Sequence, residues 1–316
     1  MKRIAAIGTV NRDTIYTPDG MVTESFGGLL YTVLGLAALA NSETVIVPVC
    51  YVGADVWEEV MGFLEGWAGI VLDGVRRVPE RNNHVTIRYD ARGEKEEVLS
   101  GGVPPLDFEC LEPVLDADAI CVNFISGFEL SLEEMQRLRW RASGKIAMDF
   151  HSLSLGIDAE GRRFFRRPAH WREWVACADV VQMNEREAGL LAGRDLRDDD
   201  EVHTFGAEVL GCGPEALSIT RGKAGSWLVC SGRVEAFPAL DVDKVLDTTG
   251  CGDVFLAGFT LEYARSGDVG TASRFAHCAA GMNCCLRGIE EVGRLGALVE
   301  GFRDKNSEKG LGADFC

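Results

Sequence analysis

The alternation of short apolar segments with longer amphipathic segments is the sequence feature that most constrains the fold. Apolar runs of the length of buried strands lie at residues 4–8, 44–53, 118–124, 145–150, 179–184 and 215–220. Segments with helical spacing of apolar residues lie between most of them, at residues 27–40, 56–68, 132–142, 185–193 and 201–211. Buried strands that alternate with helices form right-handed βαβ units. The sequence therefore predicts an α/β fold, in which a mostly parallel central sheet lies between two helical layers.

One stretch departs from this alternation. Residues 84–90 and 96–100 flank a turn and carry polar side chains at alternate positions, which is typical of an exposed hairpin. The 316 residues contain no internal repeat and no low-complexity run, and a chain of this length could form one large domain or two smaller ones. We expect a single domain over residues 1–316, with residues 10–30 and 82–104 forming a small β excursion from it.

The net charge of −17, from 32 basic and 49 acidic residues, limits the partners of the chain. Such an excess of negative charge opposes binding to nucleic acid and to anionic membranes, so we expect neither partner. The apolar run at the N-terminus ends at Gly8 and is too short for a secretion signal or a membrane span. The eleven cysteines include no CxxC pair, which is typical of reduced thiols. These observations predict a cytoplasmic protein.

Polar residues and a glycine stand at or just past the ends of several predicted strands. They are Asn11, Asp13, Asp149, Asn184, Thr220 and Gly222. In a parallel α/β sheet, ligands bind at the carboxyl ends of the strands. The pattern therefore indicates a binding site at this edge of the sheet, although loops that follow strands are commonly polar for other reasons.

The segment LDTTGCGDVFLAGF, at residues 246–259, combines a glycine-rich turn with the start of an apolar helix. Gly250 and Gly252 permit a tight turn, and the first amides of a helix have no internal partner. Such a turn is a cradle for phosphate. Asp253 would repel a phosphate at this point unless it accepts a proton from an attacking hydroxyl. Alternatively, it is an ordinary acid that favours the first turn of a helix.

Several segments together carry a family resemblance. They are GTVNRD (8–13), the paired glycines Gly27 and Gly28, MNEREA (183–188), TRGKAG (220–225), DTTGCGD (247–253) and RFAHCAAGMNCCLRG (274–288). These segments resemble, in the same order, the motifs of the ribokinase family of carbohydrate kinases, also called the PfkB family. The resemblance spans nearly the whole chain. It implies a ribokinase-like three-layer αβα sandwich with a small β lid, formed here by residues 10–30 and 82–104.

The activity that the resemblance implies is transfer of the γ-phosphoryl group of ATP to a hydroxyl of a sugar or sugar-like molecule. Asp253 would be the general base, and the amides of Gly250, Cys251 and Gly252 would form the anion hole. Phosphoryl transfer depends mainly on positioning and charge stabilisation, which backbone amides can supply.

On the acceptor side, the resemblance assigns Asn11 and Asp13 to the substrate hydroxyls, and Gly27 and Gly28 to a close approach of the backbone. The lid would close over the substrate and exclude water. Alternatively, the same ribbon could pair two chains into a homodimer, or could serve both purposes.

On the nucleotide side, the implied ATP contacts are Asn184, Thr220, Gly222, Gly225 and His277. Mg²⁺ would be held through water by Glu187 together with Asn184, and Asp247 and Thr249 match positions that bind K⁺ in some members. Each residue has a simpler alternative. Glu187 could be an exposed acid near a helix start, Asp247 could form a turn, and His277 could be a buried histidine with an internal partner.

Two departures from the family pattern leave the acceptor open. Cys251 replaces the small residue that is usual in the anion hole, although its backbone amide is retained. Leu29-Leu30-Tyr31-Thr32 follows the paired glycines, where sugar kinases carry an asparagine. An aromatic or nucleoside-like group could stack on Tyr31. The chain could therefore be a sugar kinase, a nucleoside kinase, or a non-catalytic relative that binds a nucleotide or a sugar.

Overall fold

The structure is a computed structural model and describes residues 1–92 and 95–308. Within these residues the strands are, in chain order, β1 (Lys2–Ile7), β2 (Val10–Tyr16), β3 (Val22–Gly28), β4 (Thr44–Gly53), β5 (Val75–Val78), β6 (Asn83–Tyr89), β7 (Lys95–Ser100), β8 (Ala119–Asn123), β9 (Lys145–Asp149), β10 (Leu155–Ile157), β11 (Arg163–Phe165), β12 (Val180–Asn184), β13 (Ala216–Thr220), β14 (Ser226–Cys230) and β15 (Arg233–Phe237). The α-helices of the same residues are α1 (Leu29–Leu39), α2 (Trp57–Leu64), α3 (Leu132–Arg141), α4 (Trp171–Val175), α5 (Glu185–Ala192), α6 (Asp199–Leu210), α7 (Cys251–Ser266), α8 (Val269–Asn283) and α9 (Leu295–Glu308).

The central sheet of the described residues has nine strands in the order β15-β14-β13-β12-β9-β8-β1-β4-β5. The strands from β13 to β5 pair in parallel, as the alternation of strands and helices predicts. β14 and β15 extend one edge as antiparallel strands. The prediction of a mostly parallel sheet is confirmed, and the antiparallel edge is an addition to it.

Apolar side chains on both faces of the sheet form the core. On β1, Ala5 and Ile7 pack into a cluster with buried residues of α3, α4, α5 and α6. Ile4 and Ala6, which point to the opposite face, pack with buried residues of α1, α2, α7 and α8. Because both faces are covered, the strands are apolar along their length, and the molecule has three layers.

The smaller sheet of the described residues has the strand order β3-β2-β6-β7. The predicted hairpin is present, with His84 opposite Ser100. β2 joins it by parallel pairing with β6, and β3 pairs with β2 in the antiparallel sense. This small sheet is called the lid sheet below. The helix expected over residues 27–40 begins only at Leu29, because Gly27 and Gly28 end β3.

The side chain of Asn82 fastens the lid sheet to the central sheet. Its amide group donates to the carbonyl of Val10 at 2.8 Å, where β2 begins, and its oxygen accepts from the amide of Gly53 at 3.1 Å, where β4 ends. Asn82 is 3 % exposed, so these bonds are shielded from water. The base of the lid sheet is therefore held at a defined point. Within the described residues, no helix is both long enough and apolar enough to cross a membrane.

Candidate active site

The carboxyl ends of the central parallel strands and the first turn of α7 form the candidate site. Asn123, Asp149, Asn184 and Thr220 are the last residues of β8, β9, β12 and β13. The helix α7 packs against β8 and β9, and its N-terminus lies at this edge of the sheet. The placement matches the position at which parallel α/β sheets bind ligands.

The turn that leads into α7 requires glycine at position 250. Gly250 has a φ of 72°, in the left-handed region, and a Cβ added there would lie 2.2 Å from the ring of Tyr31. The first helical hydrogen bond runs from the amide of Val254 to the carbonyl of Gly250, at 2.8 Å. The amides of Gly252 and Asp253 therefore have no carbonyl partner within the helix.

The amide of Cys251 is already hydrogen-bonded, whereas the predicted anion hole needs a free amide at this position. It donates to the carbonyl of Thr248 at 3.3 Å, a long and therefore weak hydrogen bond. An anion at the turn could compete for this amide. The anion-hole assignment of Gly250, Cys251 and Gly252 remains a prediction, and it requires the Cys251 amide to leave Thr248.

Asp253 lies in the first turn of α7 and is half-buried. Its Oδ1 accepts a hydrogen bond from Nδ2 of Asn123 at 2.7 Å, and the same nitrogen donates to Oγ1 of Thr32 at 3.0 Å. Desolvation raises the pKa of Asp253 to about 7, and the bond from Asn123 opposes this rise. A carboxylate whose pKa lies near neutral pH is well matched to general-base catalysis.

Gln182 connects the sheet to the glycine turn. Its Nε2 donates to Oδ2 of Asp149 at 2.8 Å and to the carbonyl of Gly252 at 3.0 Å. Burial raises the pKa of Asp149 well above its usual range, and the carboxylates of Glu187 and Asp253 raise it further. Gln182 thus fixes the turn relative to β9 and β12 in a site crowded with carboxylates.

Glu187 is buried at 4 % exposure, so it is not the exposed acid that the simpler alternative assumed. It forms a capping box with Asn184, in which Oε2 of Glu187 accepts from the Asn184 amide at 2.9 Å and Oδ1 of Asn184 accepts from the Glu187 amide at 2.9 Å. Burial raises the pKa of Glu187 to about 7. Glu187 therefore helps to start α5, and its role in metal binding remains a prediction.

The donor set around Asp149 and Glu187 fits Mg²⁺ better than a softer metal. The described residues contain no group of three or more His, Cys, Asp or Glu side chains arranged to hold a metal ion. Mg²⁺ needs only one or two protein carboxylates, because water and substrate phosphates complete its octahedron. Burial raises the pKa of both carboxyls, and the charge of Glu187 raises that of Asp149 further, so a cation beside them would favour their ionised forms.

The two residues predicted to bind K⁺ are hydrogen-bonded to each other. Oδ1 of Asp247 accepts from the amide of Thr249 at 2.9 Å and from its hydroxyl at 2.7 Å, and Oδ2 accepts from the amide of Gly288 at 3.3 Å. This is the arrangement expected of a turn-forming aspartate. The assignment of K⁺ to Asp247 and Thr249 remains a prediction.

The predicted nucleotide residues lie at the β13–β14 edge of the site. Gly225 has a φ of 86°, and a Cβ there would lie only 1.9 Å from the carbonyl oxygen of Phe237. His277 has an internal partner, since its Nε2 lies 2.6 Å from Oγ of Ser226, and its ring stacks on Phe237 at 5.3 Å. Thr220 and Gly222 lie at the end of β13 and in the following turn. Their contact with ATP remains a prediction.

The predicted acceptor residues lie on the lid sheet. Asn11 is opposite Gly27 in the β2–β3 pairing, and a Cβ at Gly27 would lie 2.7 Å from Oδ2 of Asp13, so glycine makes room for this carboxyl group. Burial raises the pKa of Asp13 to about 7, and the carboxylates of Glu97 and Asp253 contribute to the rise. The buried Oδ1 of Asn11 has no hydrogen-bond partner. A substrate hydroxyl would satisfy that oxygen.

Gly28 and Tyr31 take structural positions beside this pocket. Gly28 has a φ of 66°, and a Cβ there would lie 2.6 Å from the carbonyl oxygen of Thr9. Tyr31 is 2 % exposed, with its ring against Gly250. Its buried ring offers little surface for a stacked base in this conformation. Substrate contact by these two residues remains a prediction.

Residues 166–291 match the profile of the pfkB family carbohydrate kinases. A cytidine kinase of Thermococcus kodakarensis is 30% identical over 273 residues, which cover 84% of this chain and 90% of that protein. The chain belongs to the pfkB family. A ribokinase of Bacillus subtilis is 37% identical to this pfkB family member over 119 residues, which are 38% of this chain and 37% of that protein.

Solved structures show that this pfkB family member has the ribokinase fold. The ribokinase of Thermotoga maritima matches with a TM-score of 0.75 and 20% identity, over 96% of this chain and 100% of that chain. The ribokinase of Arabidopsis thaliana, complexed with ribose and ATP, matches with a TM-score of 0.75 and 18% identity, over 95% of this chain and 98% of that chain. The predicted family and fold are confirmed.

Proposed function

We propose that this pfkB family member transfers the γ-phosphoryl group of ATP to a hydroxyl of a ribose-bearing acceptor, with a nucleoside as the first candidate and a free sugar as the second. The observation that carries the proposal is Asp253, which lies in the first turn of α7 beside the glycine turn and has a pKa near 7. The nucleoside is favoured because a cytidine kinase matches 84% of the chain, whereas the B. subtilis ribokinase matches 38%.

Asp253 would accept the proton of the acceptor hydroxyl. Asn123 holds Oδ1, so Oδ2 is the oxygen that would face the hydroxyl. A bond forms between the hydroxyl oxygen and the γ-phosphorus as the bond to the ADP oxygen breaks. The amides of Gly252 and Asp253, with that of Cys251 once it leaves Thr248, would stabilise the charge on the moving group.

The carboxylates of the site would repel the phosphates of a nucleotide unless a cation binds with them. Asp13, Asp149, Glu187 and Asp253 all have raised pKa values, and charge from a neighbouring carboxylate contributes at Asp13 and Asp149. Mg²⁺ bound with the nucleotide would neutralise phosphate charge. Glu187 with Asn184, and Asp149 beside them, would hold that ion. Gln182 keeps Asp149 oriented for this purpose.

The test of the proposal is an acceptor panel with Mg·ATP as donor. ADP formation would be measured with cytidine, uridine, adenosine, ribose, fructose and ribose 1-phosphate, each in parallel with the Asp253→Asn variant. We expect the highest kcat/KM with a nucleoside. If no acceptor raises ADP formation above the variant's background while ATP still binds, the chain is a binding protein and the proposal is wrong.

Because the pKa values of Asp13 and Glu187 also lie at about 7, the pH dependence of a variant is needed to identify Asp253 as the base. The base must be ionised, so kcat/KM should fall below a pH of about 7, the pKa of Asp253. The bond from Asn123 lowers this pKa, so its loss in Asn123→Ala should move the acidic limb of the profile to higher pH. The control is Asn41→Ala, at an exposed turn where Asn41 bonds to Glu43 and Thr44. The acidic limb of the Asn41→Ala profile should stay at the pH of the unaltered chain. An unmoved limb in Asn123→Ala would exclude Asp253 as the titrating base.

A further inference from the structure

Two thiols meet beside the glycine turn. Cys251 is the first residue of α7, and Cys284 directly follows the last residue of α8. Their Sγ atoms lie 3.2 Å apart, in hydrogen-bond contact. A disulfide needs an S–S distance of about 2.05 Å, so a small movement of the two side chains would allow the bond to form.

The surrounding hydrogen bonds hold the two backbones together. The carbonyl of Cys284 accepts from the amide of Leu246 at 2.7 Å. The side chain of Asn283 donates to the carbonyl of Thr249 at 3.1 Å and to Sγ of Cys251 at 3.3 Å. The end of α8 is thus fastened to the segment that forms the turn. Hydrogen bonds other than the thiol contact therefore keep the two cysteines near each other.

The two thiols also differ from most others in the described residues by their exposure. Cys251 and Cys284 are partly exposed, whereas five others are buried: Cys50, Cys110, Cys121, Cys177 and Cys278. A small oxidant can therefore reach the pair from solvent. Partial exposure with a second thiol in contact is the arrangement that favours reversible oxidation over irreversible damage.

We propose that Cys251 and Cys284 are a reversible oxidation site, at which a hydroperoxide forms a disulfide that inhibits phosphoryl transfer. The hydroperoxide oxidises one thiol to a sulfenic acid and is itself reduced to water or an alcohol. The second thiol then attacks that sulfur, the S–S bond forms, and the hydroxyl leaves as water. A thiol reductant reverses the step by disulfide exchange. In a reducing compartment the disulfide would form only under oxidant load.

The inhibition rests on the proposed function. The amide of Cys251 now faces the carbonyl of Thr248 and must turn to a phosphate for catalysis. A disulfide would tie Cys251 to the end of α8 and hold the amide away from the phosphate. Loss of one anion-hole donor typically costs on the order of 10²-fold in kcat. We therefore expect the oxidised protein to lose at least about tenfold in kcat.

The experiment treats the reduced, folded full chain with hydrogen peroxide and follows two readouts. Intact mass should fall by the mass of two hydrogen atoms, and peptide mapping should link Cys251 to Cys284. Activity should fall in parallel and return with dithiothreitol. The Cys284→Ser variant, or Cys284→Ala if the first folds poorly, should keep its activity under peroxide.

The matched control is Cys285→Ser. Cys285 is the next residue in the chain and is also partly exposed. Its thiol, however, donates to a backbone carbonyl, that of Gly281, at 3.9 Å. This variant should respond to peroxide as the unaltered chain does. The proposal is overturned if the 251–284 link is absent from the peptide map, if the link forms without loss of activity, or if Cys284→Ser is inactivated at the unaltered rate. The peptide map detects the disulfide even if the chain has no kinase activity. Absence of kinase activity would therefore refute the proposed function without refuting the disulfide.

Discussion

Replacement of Asp253 by asparagine should lower kcat by about 10²–10⁴-fold, the usual contribution of a general base. Asparagine keeps the shape of the side chain and can still accept the hydrogen bond that Asn123 donates to Oδ1. It cannot take a proton from the acceptor. The affinity for Mg·ATP should be retained or increased, because one negative charge is removed from the phosphate site.

The stability of the same variant provides a check on its fold. The folded-state pKa of Asp253, about 7, lies above the usual value of 3.8. Its contribution to stability is therefore fully present only below the usual pKa of 3.8, and it is lost as the pH rises from there through about 7. At pH 8 the Asp253→Asn variant should unfold at a midpoint no lower than that of the unaltered chain. Turnover within about tenfold of the unaltered chain would remove Asp253 from the role of base.

The Gly250→Ala variant should lose about 2–4 kcal/mol of stability together with its activity. Alanine is strained at the φ of 72°, at a cost of about 1 kcal/mol. Its Cβ would also lie 2.2 Å from the ring of Tyr31, and overpacking of this kind costs about 1–3 kcal/mol. Tyr31 is 2 % exposed and has little room to move aside. Thermal or denaturant unfolding would measure the loss.

Gly252 offers a matched control two residues further along the chain. Its φ is not in the left-handed region, and the nearest atom to an added Cβ is Nε2 of Gln182 at 3.9 Å. The Gly252→Ala variant should therefore unfold within about 0.5 kcal/mol of the unaltered chain. If the two variants unfold alike, the close contact between Gly250 and Tyr31 does not constrain the turn.

Much of the fold could be predicted because apolar patterning is a local property. The run TVIVPVCYVG predicts a strand at residues 44–53, and β4 has these same bounds. The antiparallel β14–β15 edge was missed, although its signal was present. A Ser-Gly pair marks a turn between two strands. Ser231 and Gly232 indeed form that turn, with positive φ values of 48° and 71°.

The residues that position Asp253 could not be predicted in the same way. Asn123 is a polar residue at the end of β8, like Asp149 at the end of β9, and Gln182 is a polar residue inside β12, but neither position reveals its partner. Their partners are 130 and 70 residues away in the chain, at Asp253 and Gly252. Likewise, the contact between the buried ring of Tyr31 and Gly250 forms only in the folded chain. Contacts of such long sequence separation are set by tertiary packing, which no local pattern encodes.

The lid sheet has a consequence for how two reactants would meet. Asn11 and Asp13 belong to β2, so an acceptor held by them would be carried by the small sheet, whereas ATP on the turn before α7 would rest on the large one. Only Gly8 and Thr9 separate β1 from β2, and Asn82 is hydrogen-bonded to the first residue of β2. Closure of the lid sheet would thus bring the acceptor hydroxyl to the γ-phosphate. Capture of the acceptor and its reaction would then be one movement.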